Sequence, residues 1–132
     1  MNNIKVLVVD NNRMFVNMIK EYFRKYENIN IWKVSYNTTD ALKKIKKYDS
    51  YDVIVLNLLL LNEEGINILE EIKRLNINKK IIVISSYTLE DINEDLYLDN
   101  INYLLIKPFD FELLKNKIID SCEDKDNYRY IT

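Results

Sequence analysis

Five polar side chains that could take part in chemistry stand at or just after the ends of apolar runs. They are Asp10, Asn11, Asn57, Ser85 and Lys107. The runs are short and rich in Val, Ile and Leu, which is typical of buried strands. At the carboxyl ends of parallel strands such side chains meet in one crevice, where an open α/β sheet binds its ligands. We therefore expect an acid, two amides, a hydroxyl and an amine at one site.

These side chains allow more than one kind of chemistry. Ser85 and Lys107 are the residue types of a Ser/Lys hydrolase, in which the amine activates the hydroxyl. However, no glycine-rich nucleophile elbow surrounds Ser85, since the chain has one glycine, and no histidine is present to act as a general base. A module that binds a small molecule in the same crevice is a second alternative. Both stand as alternatives for the use of this crevice.

The elements that would position these side chains are strands that alternate with helices. Five apolar runs predict strands, and three of them are almost continuously hydrophobic, as parallel strands covered on both faces must be. The predicted strands comprise residues 4–9, 29–36, 52–56, 80–85 and 103–106. Because crossovers between parallel strands are right-handed, this βα series predicts a doubly wound α/β sandwich.

Helices are predicted between the strands from apolar residues that recur three and four positions apart. In the first helix this stripe consists of Phe15, Met18, Ile19, Tyr22 and Phe23. The later stripes are Ala41, Leu42 and Ile45; Ile68, Leu69, Ile72 and Leu75; Leu89, Ile92 and Leu96; and Phe111, Leu114, Ile118 and Cys122. Asn11 or Asn12 can cap the first helix, Asn37 begins the start signal of the second, and Asp110 can cap the fifth.

Composition limits the class of protein. The chain has 132 residues, of which 48% are apolar and 30% charged, with a net charge of −2. This is the length of one domain. The chain has no run of about 20 apolar residues, which a membrane span needs. It also lacks the excess of basic residues that is typical of proteins that bind nucleic acid. A single cysteine excludes an internal disulfide framework. The first ten residues lack the pattern of a secretion signal, so we expect a cytoplasmic location.

Four motifs, in order, resemble the receiver domains of bacterial response regulators over residues 1 to about 122. VLVVDNNR occupies the position of the family's acidic pair, and VIVLN that of the strand that ends in the phosphoacceptor aspartate. IIVISS occupies the position of the strand that ends in Thr or Ser, and IKPFD that of the strand that ends in Lys-Pro. The resemblance implies a flavodoxin-like, three-layer α/β/α sandwich with a five-stranded parallel sheet in the order 2-1-3-4-5. DNNR, VSYN and KPFDFELL are most similar to the receiver of the sporulation stage-zero master regulator of spore-forming Firmicutes.

The resemblance also implies that the phosphorylation chemistry of the family is lost here. The nucleophile's position holds Asn57, whose carboxamide is neutral and a poor nucleophile. The second acid of the cation pocket is replaced by Asn11, which leaves Asp10 and the backbone carbonyl of Leu59 as ligands. Because Mg²⁺ prefers carboxylate oxygen and gives up water reluctantly, we expect its binding to be weak or absent, and we expect no other metal or cofactor.

Two further positions bind the phosphoryl group in the family, and one reports its presence. Ser85 and Lys107 match the binding residues, and without a phosphoryl group the Lys107 ammonium is expected on the Asn57 carbonyl or on Asp10. Leu104 takes the place of the aromatic residue whose rotation reports phosphorylation, although Tyr103 is adjacent. We interpret the crevice as a degenerate phosphorylation site with no catalytic residue.

The chain is therefore interpreted as a pseudo-receiver, meaning a non-enzymatic receiver domain that cannot be phosphorylated and regulates through protein contacts, in a sporulation-type transcriptional regulator. In the family, helix four, strand five and helix five form a surface through which receivers dimerise. Here the fourth helix is acidic and the fifth carries Lys115 and Lys117, so a homodimer is a hypothesis. DNA contact would come only through an effector domain absent from this chain. Residues 1–122 are expected to form the receiver-like domain, and residues 123–132 a polar tail or the start of a linker.

Overall fold

The structure, a computed structural model, describes residues 3–58, 64–86, 101–123 and 130–131. Its strands are β1 (Ile4–Val9), β2 (Ile29–Ser35), β3 (Val53–Asn57), β4 (Lys80–Ser85), β5 (Tyr103–Ile106) and β6 (Tyr130–Ile131). Its helices are α1 (Arg13–Phe23), α2 (Thr38–Ile45), α3 (Glu64–Arg74) and α4 (Phe111–Glu123), with a 3₁₀ turn at Tyr48–Ser50. The strands form one parallel sheet in the order β2-β1-β3-β4-β5-β6.

The predicted fold is confirmed: five parallel strands follow the order 2-1-3-4-5, and helices cover the sheet. The central strands β1, β3 and β4 are buried along almost their whole length, which explains their continuous hydrophobic runs. The sixth strand extends the sheet beyond β5 and was not predicted, because two residues are too few to show a periodicity. It lies in the segment for which the sequence predicts a polar tail or linker.

The two faces of the sheet carry separate hydrophobic cores, because successive side chains of a strand point to opposite sides. In β1, Leu7 and Val9 belong to the core that includes residues of α2 and α3. Val6 and Val8 belong to the other core, which includes residues of α1 and α4. The sheet is thus the middle layer of three, and the carboxyl ends of its strands lie together at one edge.

The helices begin at polar caps that the sequence indicates. Asn12, one of the two predicted candidates, caps α1 by accepting a hydrogen bond from the backbone N–H of Phe15 at 3.1 Å. Asn37 caps α2 in the same way, and the Asp110 carboxylate accepts from the N–H of Leu113 at 2.8 Å at the start of α4. The predicted fourth helix, with Leu89, Ile92 and Leu96, lies outside the described residues.

The buried faces of two helices differ from the predicted stripes. In α1 the buried residues are Val16, Ile19 and Phe23, whereas Met18 is 50% exposed. Met18 lies two positions from Val16, which is about 200° around the helix, so both cannot face the sheet. In α4 the buried residue of the last turn is Ser121, and the predicted Cys122 is only partly buried.

The two edges of the sheet are built differently. In β2 the register slips by one residue, since Val6 pairs with Ile31 and Leu7 with Lys33. The bulge therefore falls at Trp32, whose ring stacks on that of Tyr51 at a centroid distance of 5.7 Å. At the opposite edge, β5 is covered by the backbone of β6. Among the described helices, none is long and apolar enough to cross a membrane.

Candidate functional site

Asp10 and Asn57 meet at the carboxyl edge of the sheet, as the sequence predicts. Asp10 follows the last residue of β1 and is 1% exposed, while Asn57 ends the neighbouring strand β3. One oxygen of Asp10, Oδ1, accepts two hydrogen bonds, from the backbone N–H of Asn12 at 2.9 Å and from Nδ2 of Asn57 at 3.2 Å. The amide of Asn57 therefore acts as a donor to the remaining acid of the crevice.

The second oxygen of Asp10 differs from the first. Asp10 Oδ2 is buried and has no hydrogen-bond partner among the described residues. A buried carboxylate oxygen without a partner costs free energy and is suited to a cation.

The donors around Asp10 nevertheless fit Mg²⁺ poorly. Asn57 directs a nitrogen, not an oxygen, towards the acid, and Asn11 is an exposed neutral side chain. Within the described ranges there is no group of three His, Cys, Asp or Glu side chains that could hold a metal ion. The predicted backbone ligand, Leu59, lies outside those ranges. Of the described side chains at positions 10, 11 and 57, a hard divalent cation would thus find one carboxylate, that of Asp10.

The contact described for Lys107 is with an aromatic ring, whereas the sequence suggests Asn57 and Asp10 as its partners. Its ammonium lies over the ring of Phe15, with Nζ 4.3 Å from the ring centroid. Phe15 is in the first turn of α1 and also contacts the rings of Phe109 and Phe111 at centroid distances of 6.3 and 5.9 Å. A cation over an aromatic face is attracted by the quadrupole of the ring, so Phe15 provides an alternative seat for the lysine.

Ser85 lies at the end of β4 and is fully buried. Its backbone carbonyl accepts a hydrogen bond from the N–H of Lys107 at 2.8 Å, which holds the two predicted phosphoryl-binding positions side by side. A Ser/Lys hydrolase requires the amine within hydrogen-bond reach of the hydroxyl. The contact that the structure describes for the Lys107 ammonium is with the ring of Phe15, so it gives the hydrolase alternative no support.

Leu104 and Tyr103 occupy opposite faces of β5. Leu104 is 1% exposed and belongs to the core on the α2 and α3 side. Tyr103 is buried in the other core, where Nζ of Lys117 lies 4.9 Å from the centroid of its ring. The residue that the resemblance assigns to the reporting position is thus an aliphatic core side chain, and the adjacent tyrosine points to the opposite face of the sheet.

A charged cluster that the sequence analysis missed supports the crevice from the side of β2. The backbone N–H of Asp10 donates to the carbonyl of Ser35 at 3.0 Å, and the hydroxyl of Ser35 donates to Asp40 at 2.8 Å. Lys44 Nζ donates to Asp40 at 2.6 Å and to the carbonyl of Val34 at 2.9 Å. The Lys44 ammonium and the Ser35 hydroxyl hold the pKa of Asp40 below its ordinary value.

Two cation–aromatic pairs at the mouth of the crevice were also missed. Arg13 lies over the ring of Tyr36, 4.0 Å from its centroid, and Lys107 lies over Phe15. The sequence gives a weak signal for both, because Arg13 and Phe15 stand in the first turn of the helix that follows β1 and Tyr36 directly follows β2. Those positions border the carboxyl edge of the sheet in any parallel α/β fold.

Part of the predicted dimer surface can be located. Lys115 and Lys117 lie on α4, and both engage aromatic rings of their own domain: Lys115 Nζ is 4.4 Å from the ring centroid of Tyr26, and Lys117 Nζ faces Tyr103. The acidic side chains of the predicted fourth helix lie outside the described residues.

Comparison with known proteins identifies the family. The profile of the response regulator receiver domain matches residues 6–119. The chain belongs to the response regulator receiver domain family. Receiver domains are signalling domains of two-component systems, so the match supports a signalling domain and does not itself test the predicted site residues.

Solved receiver structures share the fold. The signal receiver domain of the response regulator NarL from Mycobacterium tuberculosis has a TM-score of 0.82 at 15% identity, covering 95% of this chain and 100% of that chain. The receiver domain of the Francisella response regulator 1452 has a TM-score of 0.78 at 26% identity, with coverage of 94% and 100%. A chain of the CheX–CheY–BeF₃–Mg²⁺ complex from Borrelia burgdorferi has a TM-score of 0.78 at 24% identity, with coverage of 92% and 90%.

Proposed function

We propose that this receiver domain is a pseudo-receiver: it takes no phosphoryl group at position 57 and regulates through contacts with other proteins. The observation that carries the proposal is the hydrogen bond from Asn57 Nδ2 to Asp10 Oδ1. An aspartate in the same place would present an ionised oxygen that can attack phosphorus. The carboxamide presents a donor instead, and its oxygen is a poor nucleophile.

The cation requirement supports the same proposal. Phosphoryl transfer to a carboxylate needs a divalent ion that offsets the charge of the nucleophile and of the phosphoryl oxygens. With neutral side chains at positions 11 and 57, Asp10 is the remaining carboxylate among the described residues of the crevice. We expect Mg²⁺ binding to be weak, so the site lacks both the nucleophile and the ion that would activate it.

The position of the Lys107 ammonium over Phe15 supports a single resting conformation of the domain. In a receiver that switches, a new anion draws the lysine and thereby shifts the populations of two conformations. Here the ammonium rests on Phe15, and the position next to Tyr103 that would relay a change is the buried Leu104. A domain that receives no phosphoryl group, and that has an aliphatic residue at the relay position, presents the same surface to its partners at all times.

The partners we propose are proteins, and the setting is a cytoplasmic, sporulation-type transcriptional regulator in which a separate effector domain contacts DNA. The support for this setting is the similarity of DNNR, VSYN and KPFDFELL to the sporulation regulator's receiver. The domain itself is proposed to have no enzymatic activity.

Attempted phosphorylation tests the proposal. The chain is incubated with acetyl phosphate and Mg²⁺, and separately with beryllofluoride and Mg²⁺. We expect intact-protein mass spectrometry to show no phosphoryl adduct, and the NMR amide signals of residues around Asn57 to stay unchanged. A stable adduct at position 57, or a beryllofluoride-induced change in that spectrum, contradicts the proposal.

The matched variants restore the missing chemistry stepwise. Asn57→Asp alone provides a nucleophile without the second cation ligand and is expected to stay nearly inert. Asn11→Asp with Asn57→Asp provides both and is expected to gain the adduct. If neither the double variant nor the wild type forms a phosphoryl adduct, residues other than Asn11 and Asn57 also prevent phosphorylation. The explanation by these two amides is then wrong.

A further inference from the structure

The β5 edge of the sheet has no bulge, charged side chain or proline within the strand, which are three of the features that protect an exposed edge. Edge strands are normally blunted by a bulge, a charged side chain or a proline. The opposite edge strand, β2, has two of these features, the bulge at Trp32 and the exposed Lys33. The four residues of β5, Tyr-Leu-Leu-Ile, contain none of them, and the first three are buried.

The chain covers this edge with its own backbone. Tyr130 pairs with Tyr103 and Ile131 with Leu104, in parallel. The pairing involves two residues of β6, so it contributes few hydrogen bonds and can open without unfolding the domain. The apolar edge is therefore closed by a short strand from the end of the described chain.

We infer that the strand Tyr130–Ile131 is an autoinhibitory cap: it prevents the β5 edge from pairing with the β5 edge of a second copy of this chain, and its release allows a dimer. The inference rests on the proposed function in one respect, namely that the domain acts through protein contacts. It adds what regulates one such contact.

A second copy is the occupant that the β5 edge fits best. Two identical edge strands related by a two-fold axis pair antiparallel, and this closes the assembly at a dimer. The four residues of β5 carry no charge, so no like charges oppose each other across the axis. Pro108 lacks an N–H and ends the pairing shortly after Ile106, which limits the interface to the apolar stretch.

Full-length variants of the cap provide the test. Tyr130→Pro with Ile131→Pro removes both N–H groups of β6 and disfavours the strand. Tyr130→Gly with Ile131→Gly keeps the N–H groups but weakens the strand, and Tyr130→Thr with Ile131→Val is the matched control that retains strand-forming residues. Self-association is measured by sedimentation over a concentration series without any phosphoryl donor, together with amide exchange in Tyr103–Ile106.

Self-association should be weakest in the wild type and the control, intermediate in the glycine pair and strongest in the proline pair. The dimer dissociation constant of the proline pair is expected to be at least about tenfold below that of the wild type. If the proline pair does not fold, the glycine pair decides by the same measurement.

Equal sedimentation of the wild type and the folded cap variants overturns the inference, and so does unchanged amide exchange in β5 at concentrations low enough for the variants to be monomeric. A polydisperse aggregate in place of a dimer also overturns it, because two-fold pairing should close. None of these readings depends on phosphorylation. Failure of the cap and failure of the pseudo-receiver proposal are thus distinguishable.

Discussion

Replacing Asn57 by aspartate should destabilise the domain, although the change is isosteric. The substitution turns the amide nitrogen that donates to Asp10 Oδ1 at 3.2 Å into a carboxylate oxygen. Two unit charges at that separation repel by ~1 kcal/mol in water and by ~5 kcal/mol at an effective dielectric constant of about 20. The lost hydrogen bond adds about 1 kcal/mol. Because one carboxyl of the pair can take up a proton, we expect a net loss of about 2–4 kcal/mol at neutral pH without divalent cations.

The pH dependence of this loss has a definite sign. Repulsion between the two carboxylates raises the pKa of the pair in the folded state above that in the unfolded state. The folded variant then binds more protons than the unfolded chain, so its stability falls as the pH rises through this window. The deficit relative to wild type should be largest at neutral pH and shrink on acidification. Urea unfolding followed by the fluorescence of Trp32 measures it.

The exchanged pair is the control for Asn57→Asp. Asp10→Asn combined with Asn57→Asp keeps one carboxylate and one amide, and should recover most of the lost free energy of unfolding. The electrostatic reasoning is refuted if Asn57→Asp unfolds at the wild-type urea concentration at neutral pH. It is also refuted if the exchanged pair is no more stable than the single variant.

Three further substitutions probe contacts around the crevice. Asp40→Asn should cost a few tenths to about 1 kcal/mol, because both Asp40 and Lys44 are partly exposed. Since the pKa of Asp40 is lowered by folding, its contribution is present above the unfolded pKa and is lost as the pH falls, so the variant should flatten the acid limb of urea stability. Phe15→Leu should cost about 0.5–1 kcal/mol and remove the upfield ring-current shift of the Lys107 side-chain protons. Tyr51→Phe should cost about 1 kcal/mol in urea unfolding through its lost 2.5 Å hydrogen bond.

Each substitution has an outcome that would contradict it. An unchanged acid limb in Asp40→Asn would mean that the ion pair does not contribute to folding. Phe15→Tyr keeps the ring, so it should keep the Lys107 shift; loss of the shift in that variant would exclude a simple cation–aromatic contact. Tyr51→Phe retains the ring that stacks on Trp32, so a changed Trp32 emission would show that more than the hydroxyl had been removed.

Much of the fold follows from patterns that are local in the sequence. Strands β1, β4 and β5 begin and end where the apolar runs predict, because burial on both faces leaves few polar positions inside them. The approach of Asp10 to Asn57 follows from the strand ends alone, since parallel neighbours bring their carboxyl ends to one edge. These features are fixed by burial and topology, which the pattern of apolar residues encodes.

Other features depend on choices between similar neighbours. Val16 and Met18 are both apolar, and periodicity alone did not show which of them faces the sheet. Lys107 has a long side chain with several candidate partners. Its contact with Phe15 involves a ring that the apolar stripe of the first helix predicts to lie in the core. A strand of two residues, β6, carries no periodic signal at all. Three-dimensional packing decides each of these cases.

The different surroundings of the two amides favour one mutational order by which a phosphorylatable crevice could arise from this chain. Asn11 is exposed, so an aspartate there can be hydrated and should be tolerated as a neutral drift. Asn57 adjoins the buried Asp10, so an aspartate gained there first would be selected against unless a cation were already held nearby. The accessible mutational route therefore begins with aspartate at position 11. The hydrogen bond between Asn57 and Asp10 makes the opposite order, with aspartate at position 57 first, unfavourable.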